Sequence, residues 1–147
     1  MEEYDWMDMM EKMQEIRLFS SLHIRGKRQG ATSPQEVDML SRIMLSDTLL
    51  TPMELAELMG LSKSAVSRLI ESLEKKEFLA KQYNKKDKRS YVLHLTDQGN
   101  QELKQAYQHY LKPVYKLRRT LGEERFHSLL TQIKEANSML QNKEVDK

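Results

Sequence analysis

The segment 51–73 constrains the fold more than any other part of the sequence, because it specifies two short helices joined by a tight turn. Thr51-Pro52 starts the first helix: threonine can cap a helix, and proline suits its first position. Gly60 ends it, because glycine readily adopts the left-handed backbone conformation of such a turn. Ser62 then caps a second helix, predicted over residues 63–76. Five apolar side chains are predicted to form the shared core: Leu55, Met59, Leu61, Val66 and Leu69. This pattern is typical of a helix-turn-helix, and it also fits a helical hairpin packed inside an all-α domain.

After these helices, the apolar period changes from four residues to two, which is typical of strands. Residues 78–83 and 91–95 are therefore predicted to form a two-stranded antiparallel hairpin. Its tip carries four basic side chains: Lys85, Lys86, Lys88 and Arg89. Such a tip can lie along a DNA backbone and insert into a narrow minor groove, which attracts arginine in particular. The pair of features favours a winged helix-turn-helix.

Amphipathic helices are predicted on both sides of this region. The first runs from about Tyr4 to His23, with apolar residues spaced along one helix face. Ser33-Pro34 starts another, with Glu36 positioned to complete a capping box. The buried face of that helix is predicted at Val37, Leu40, Ile43 and Met44.

Two more helices are predicted after the hairpin. Thr96 caps a long helix that Pro113 kinks or divides, because proline lacks a backbone donor and crowds the preceding turn. Leu121-Gly122 leads into a last helix, with Phe126 and Ile133 on its apolar side. The apolar faces of the first and last helices are too extensive for one chain to cover, so we expect a homodimer.

The predicted fold class is mainly α with a small antiparallel β-wing, in a single domain over residues 1–147. The winged helix-turn-helix lobe is expected at about residues 34–99. Helical dimerisation regions are expected at about 4–28 and 100–141.

Composition narrows the class of protein further. The chain has 147 residues, about one domain, and 31% of them are charged. The sequence has no run of eighteen apolar residues, and its first residues are acidic, unlike a secretory signal. We therefore expect no membrane association and a cytoplasmic location. The absence of cysteine excludes disulfides, thiolate metal sites and thiol redox switches.

Charge is distributed unevenly along the chain. Residues 61–94 contain nine Lys and Arg against four Asp and Glu, whereas residues 1–60 carry a net charge of −5. A concentrated positive segment is typical of polyanion contacts, although a solvated lysine-rich loop has the same composition.

The start of the second helix of the helix-turn-helix holds the candidate base-reading residues. The first turn of a recognition helix presents side chains to base edges and backbone amides to phosphates. The candidate DNA-binding residues here are Ser62, Lys63, Ser64, Ser67 and Arg68, together with Lys85, Lys86, Asp87, Lys88 and Arg89 in the wing. The alternative is a winged-helix protein–protein interaction module that binds no DNA, but such modules usually lack a basic wing tip.

Residues 87–99, DKRSYVLHLTDQG, resemble the wing signature of the MarR family, an Asp-x-Arg followed by a strand that ends Leu-Thr-x-x-Gly. Residues 61–70, LSKSAVSRLI, also resemble that family. The resemblance implies a triangular homodimer that binds a pseudo-palindromic operator in double-stranded DNA, as a repressor released by a small molecule. It also implies that Arg89 enters the minor groove while Asp87 braces the wing. One departure is Glu77, where members of the family often have glycine at the end of the recognition helix.

Effector, metal and catalytic sites are less clearly marked. The resemblance implies small aromatic acids or phenols as effectors, and the methionines of residues 7–13 could line such a pocket or form intersubunit core. The same alternatives apply to Tyr107, Tyr110 and Tyr115. No metal spacing relates the four histidines, which are His23, His94, His109 and His127. With no catalytic motif either, we expect neither a cofactor nor an enzyme.

Overall fold

The computed structural model describes residues 5–25 and 30–142, which form a mostly helical chain with a two-stranded sheet. Helix α1 (Trp6–Leu18) continues into a π-helical turn (Phe19–His23). The remaining elements are α2 (Pro34–Leu45), α3 (Pro52–Met59), α4 (Lys63–Lys75), β1 (Leu79–Tyr83), β2 (Tyr91–Leu95), α5 (Asp97–Tyr110), α6 (Lys112–Leu121) and α7 (Glu123–Asn142). The predicted fold class is confirmed; Tyr4, the expected start of the first helix, lies outside the described residues.

The described residues form two compact units. The lobe is residues 30–109, with α2 to α5 and both strands; the helical unit is residues 5–25 and 110–142. The buried apolar side chains all belong to the lobe: Val37, Met39, Leu40, Ile43, Leu50, Leu55, Val66, Ile70, Leu73, Leu79, Leu93, Leu103 and Ala106. Helices α1, α6 and α7 contain no buried residue. Of the two described units, only the lobe therefore closes a core of its own.

The predicted helix starts of the lobe are confirmed as side-chain caps. The hydroxyl of Ser33 accepts a hydrogen bond from the amide of Glu36 (3.2 Å), and the Glu36 carboxylate accepts one from the amide of Ser33 (2.9 Å). Thr51 caps α3 by accepting from the amide of Glu54 (3.2 Å). These bonds satisfy amides that the first helical turn leaves without partners.

Two predictions about the core of the lobe are partly wrong. Met44 is 45% exposed, whereas Met39 is fully buried. Met44 lies in the last turn of α2 beside Leu45, which is 82% exposed, so the end of this helix extends past the packed face. In the helix-turn-helix, Leu55 and Val66 are buried as predicted. Met59, Leu61 and Leu69 are only half-buried, because Ile70 and Leu73 fill the centre instead.

The wing is joined to α5 through Thr96 and Gly99. Strands β1 and β2 are antiparallel, with Leu79 opposite Leu95 and Tyr83 opposite Tyr91. Thr96 caps α5 as predicted, since its hydroxyl accepts from the amide of Gly99 (2.9 Å). A Cβ atom at Gly99 would overlap the carbonyl oxygen of Phe78. The Leu-Thr-x-x-Gly sequence is therefore a helix cap followed by a position where only glycine fits.

Pro113 divides the helix, as predicted. Helix α5 ends at Tyr110, and α6 begins at Lys112 with Pro113 in its first turn, where a missing amide hydrogen costs no helical bond. Gly122, at φ +81°, then separates α6 from α7. None of the helices in the described parts of the chain is long and apolar enough to cross a membrane.

Candidate nucleic-acid interface

Helix α4 is held at its start by a turn that leaves its first residues open to solvent. Gly60 closes α3 in the left-handed conformation, at φ +65° and ψ +36°, as the sequence predicts. The hydroxyl of Ser62 accepts from the amide of Ala65 (3.2 Å) and lies 3.2 Å from the hydroxyl of Ser64. The N-terminal turn is thus a rigid, solvent-facing platform.

The two faces of α4 differ sharply. Val66, Ile70 and Leu73 are buried against the lobe. The candidate base-reading residues are all exposed: Ser62, Lys63, Ser64, Ser67 and Arg68. The arrangement can present hydroxyl, ammonium and guanidinium donors to a polyanion while the opposite face anchors the helix.

The exit from α4 keeps the left-handed turn although a glutamate occupies it. Among the described residues, Glu77 is the non-glycine residue with a positive φ, which is +66°. Its amide donates to the carbonyl of Glu74 (3.0 Å), and the amide of Phe78 donates to that of Leu73 (2.9 Å). The hydroxyl of Thr96 donates to the carbonyl of Glu77 (2.6 Å). These bonds hold the turn from helix to wing in the geometry that glycine would take.

Asp87 organises the wing tip. Its carboxylate accepts from the amide of Arg89 (3.0 Å), and its carbonyl accepts from the amide of Ser90 (3.1 Å). The Arg89 guanidinium lies 3.5 Å from the same carboxylate while its side chain stays 94% exposed. The basic side chains at the tip are exposed throughout: Lys85, Lys86, Lys88 and Arg89. A braced turn therefore carries an exposed cationic surface.

Sequence reasoning placed Glu36 only in a capping box, but the folded lobe uses it for more. Its carboxylate also accepts from the hydroxyl of Ser72 (3.0 Å) and from the ammonium of Lys76 (2.9 Å), both at the end of α4. Burial alone would raise the pKa of Glu36, but the bonds from Ser33, Lys76 and Ser72 outweigh it and lower that pKa below its ordinary value. The ammonium of Lys76 is therefore paired with Glu36 within the lobe.

The helical unit has a different character, because its apolar residues are largely exposed. Trp6 is 71% exposed and Ile16 68%, while Leu140 in α7 is 70% exposed. The hydroxyl of Tyr110 is buried and has no hydrogen-bond partner among the described residues. Within residues 5–25 and 30–142, no group of three His, Asp or Glu side chains is placed to hold a metal ion.

Comparisons with known proteins agree with this geometry. Residues 32–90 match the MarR family. An uncharacterized HTH-type transcriptional regulator, YwaE of Bacillus subtilis, is 36% identical over 59 residues, which are 40% of this chain. The matched segment spans about a third of that relative, 34% of its length.

Solved structures with low sequence identity share the fold. A mutant of MarR from E. coli in complex with operator DNA has a TM-score of 0.73 at 18% identity, covering 91% of this chain and 99% of that one. FabT from Streptococcus pneumoniae in complex with DNA has a TM-score of 0.65 at 19% identity, covering 94% and 99%. BpsR from Bordetella bronchiseptica, regulated in DNA binding by 6-hydroxynicotinic acid, has a TM-score of 0.73 at 11% identity, covering 86% and 98%.

Proposed function

We propose that this chain, whose residues 32–90 match the MarR family, regulates transcription by binding double-stranded DNA sequence-specifically as a homodimer. The observation that carries the proposal is the open first turn of α4 on the same lobe as the braced, cationic wing tip. A recognition helix needs exposed polar side chains at its start, and a wing needs flexible positive charge. Regulators of this family are not enzymes, and no catalytic role is proposed.

The two elements divide the work. Arg68 and the serines of α4 read base edges in the major groove, because guanidinium and hydroxyl groups match the donor and acceptor pattern there. Lys63 and the wing lysines neutralise phosphates. Arg89 inserts into the minor groove, and Asp87 limits the conformations from which it starts. The operator is then a pseudo-palindrome with half-sites about 34–36 Å apart.

The exposed apolar residues of α1 and α7 support a homodimer. Contiguous apolar surface of this kind is unusual on a monomer and is normally covered by another chain. A second copy also gives the two recognition helices that a pseudo-palindromic operator needs. Residues 34–99 would then be the DNA-binding part of the chain, and residues 4–28 and 100–141 the dimerisation region.

Repression relieved by a small aromatic acid or phenol completes the proposal. A ligand that binds the DNA-incompetent arrangement of the dimer a hundredfold more tightly than the DNA-competent one shifts the equilibrium between them by about 2.7 kcal/mol. The regulation of BpsR by 6-hydroxynicotinic acid shows that a protein of the same fold can respond to such a molecule. Thermal-shift screening with aromatic acids and phenols, followed by competition against labelled operator, tests this part separately.

Selection of bound sites from random DNA, followed by footprinting, tests DNA binding, specificity and two-fold symmetry together. On the selected site, Arg68→Ala is expected to weaken binding by about 1–3 kcal/mol and to relax specificity. Lys88→Ala is expected to weaken all sequences alike and to flatten the salt dependence by about one unit. Arg89→Ala is expected to be worse than any wing lysine change, because it removes a groove insertion as well as a charge.

Lys104→Ala is the matched control, since Lys104 is an exposed lysine of α5 outside both DNA-contacting elements. It should leave both affinity and salt slope unchanged. Failure to select any site would favour the protein–protein interaction module. Wing variants with unaltered affinity and salt slope would exclude a winged-helix mode of binding.

A further inference from the structure

Lys81 is a basic residue of the central positive segment that the fold withdraws from the surface. It occupies the middle of β1, opposite Leu93, which is fully buried. Because alternate residues of a strand share a face, Lys81 lies on the sheet face that packs into the lobe. Its side chain is 19% exposed, in contrast to the 94% of Arg89 at the wing tip.

The ammonium of the half-buried Lys81 side chain joins three elements. It lies 3.5 Å from the carboxylate of Glu74, in the last turns of α4, and 5.0 Å from the ring centroid of Tyr91 on β2. The ring of Tyr91 in turn packs against that of Tyr83, with centroids 5.6 Å apart and planes tilted by 57°. Tyr83 and Tyr91 are the last strand pair before the tip, so the chain of contacts runs from α4 to the start of the wing turn.

The electrostatics of the group favour a fixed cation. Burial alone would lower the pKa of Lys81, but the charge of Glu74 and the two tyrosines outweigh it and raise that pKa. Contact with a ring face adds to the attraction where water is partly excluded. The positive charge of Lys81 therefore has a partner within the protein, the carboxylate of Glu74.

We propose that Lys81 is a positioning residue that sets the angle between the recognition helix and the wing. This inference rests on the proposed function, because the angle matters only if both elements contact DNA at once. A rigid link lets α4 and the wing tip dock together, so that the ordering of the wing is complete before binding. Without the link, every DNA-contacting side chain is still present, but α4 and the wing no longer bind the same DNA site together.

Distances measured without DNA test the link directly. The chain contains no cysteine, so Glu71→Cys on α4 and Lys88→Cys at the tip give two unique sites for spin labels. Labelled chains are diluted with unlabelled chains, so that each distance is measured within one subunit. The distribution is expected to be narrow in the parent protein and broader with Lys81→Met, which keeps most of the aliphatic stem.

Two further variants separate the link from general loosening of the lobe. Lys81→Arg keeps the charge and the ring contact, and should restore the narrow distribution. Glu74→Gln removes the ion pair from the helix side and should broaden it. Lys85→Met, a change at the exposed tip, is the matched control and should leave the distribution narrow. An unchanged distribution with Lys81→Met overturns the proposal, whether or not the protein binds DNA.

Affinities for a selected DNA site give the second measurement. Arg89→Ala is expected to weaken binding at least tenfold in the parent protein but less than threefold in the Lys81→Met background, where the wing no longer docks reliably. Arg68→Ala should weaken binding equally in both backgrounds. If Lys81→Met instead lowers the salt slope by about one unit while the effect of Arg89→Ala is unchanged, Lys81 is a phosphate contact and the inference is wrong. Absence of DNA binding by the parent protein would contradict the proposed function alone, and the distance distributions would still decide whether Lys81 holds the wing.

Discussion

At Glu77 the backbone adopts a conformation that side chains disfavour. Its φ of +66° lies in the left-handed region, where a Cβ atom crowds the following carbonyl. The turn survives because hydrogen bonds from the amides of Glu77 and Phe78 and from the hydroxyl of Thr96 surround it. The strained backbone at Glu77 is thus held by hydrogen bonds that form only in this geometry.

Glu77→Gly is therefore expected to stabilise the protein by about 0.5–1 kcal/mol. The left-handed penalty of about 1–2 kcal/mol outweighs the extra conformational entropy that glycine has in the unfolded chain, about 0.5–1 kcal/mol. Urea unfolding measures the difference. Glu71→Gly, in the exposed middle of α4, should have the opposite sign at about 1 kcal/mol. A destabilised Glu77→Gly protein would show that the turn is not strained.

Gly99 is constrained by space and not by φ. Gly99→Ala would place a methyl group on the carbonyl oxygen of Phe78, so the residue before β1 and the start of α5 must separate. We expect a loss of about 1–3 kcal/mol in the free energy of unfolding, the usual range for overpacking. Gln98→Ala, at the exposed neighbouring position, should change stability by no more than about 0.5 kcal/mol. Equal effects of the two substitutions would contradict the close approach.

Between elements, the carboxylate of Glu36 links the start of α2 to the end of α4. A glutamate near a helix N-terminus and a lysine near a helix C-terminus each oppose the local helix dipole, so the pair suits both ends. The side chain of Glu36 is 6% exposed, so removal of its charge leaves the ammonium of Lys76 without its ion-pair partner and weakens the hydrogen bond from Ser72. The link ties the end of α4 to the start of α2.

Glu36→Gln is expected to lower stability at pH 7 by about 1–3 kcal/mol. Because the folded protein lowers the pKa of Glu36, its stabilisation is complete above the ordinary value of 4.5 and is lost as the pH falls through the folded pKa. The parent protein should therefore lose stability more steeply below about pH 4.5 than the variant does. Urea unfolding between pH 3 and pH 7 would measure this, with the exposed Glu57→Gln as control. Parallel pH profiles would exclude the role assigned to Glu36.

For the whole molecule, the uneven distribution of burial is the main feature. All fully buried apolar side chains of the described residues belong to the lobe, whereas α1 and α7 carry large apolar side chains in the open. A 20-residue helix such as α7 gains little stability from propensity alone and depends on packing of its apolar face. The exposed faces of the helical unit are therefore consistent with burial by a second copy.

Ile133→Asp is expected to dissociate or unfold the proposed dimer, because Ile133 lies on the open apolar side of α7, next to Leu130. Light scattering at micromolar concentration should give a dimer for the parent protein and a smaller or unfolded species for the variant. Gln35→Asp adds the same charge at an exposed position of α2, outside the proposed dimerisation region, and should leave the dimer intact. A well-folded monomeric parent protein would exclude the dimer.

The structural features that could be predicted from the sequence are local. Ser33, Thr51, Ser62 and Thr96 cap helices as predicted, and Gly60 and Pro113 end and divide helices as predicted. Each of these effects operates within about four residues, where the identity of a side chain and the nearest amides is sufficient information. Such signals, together with the spacing of apolar residues, were sufficient to predict the order of helices and strands and the exposed start of α4.

Contacts between distant parts of the lobe could not be predicted from the sequence and are seen only in the folded structure. Glu36 contacts residues 36 and 40 positions away, so no local pattern shows that it joins α2 to α4. Local pattern also failed for α2, where Met39 is buried and Met44, predicted to be buried, is exposed. Lys81 belongs to the positive segment of the sequence, but in the fold its ammonium contacts Glu74 and Tyr91. Burial depends on the angles at which elements pack, and those angles are set by many distant contacts at once. The elements can therefore be predicted from the sequence, whereas packing decides which of their charges remain exposed to solvent.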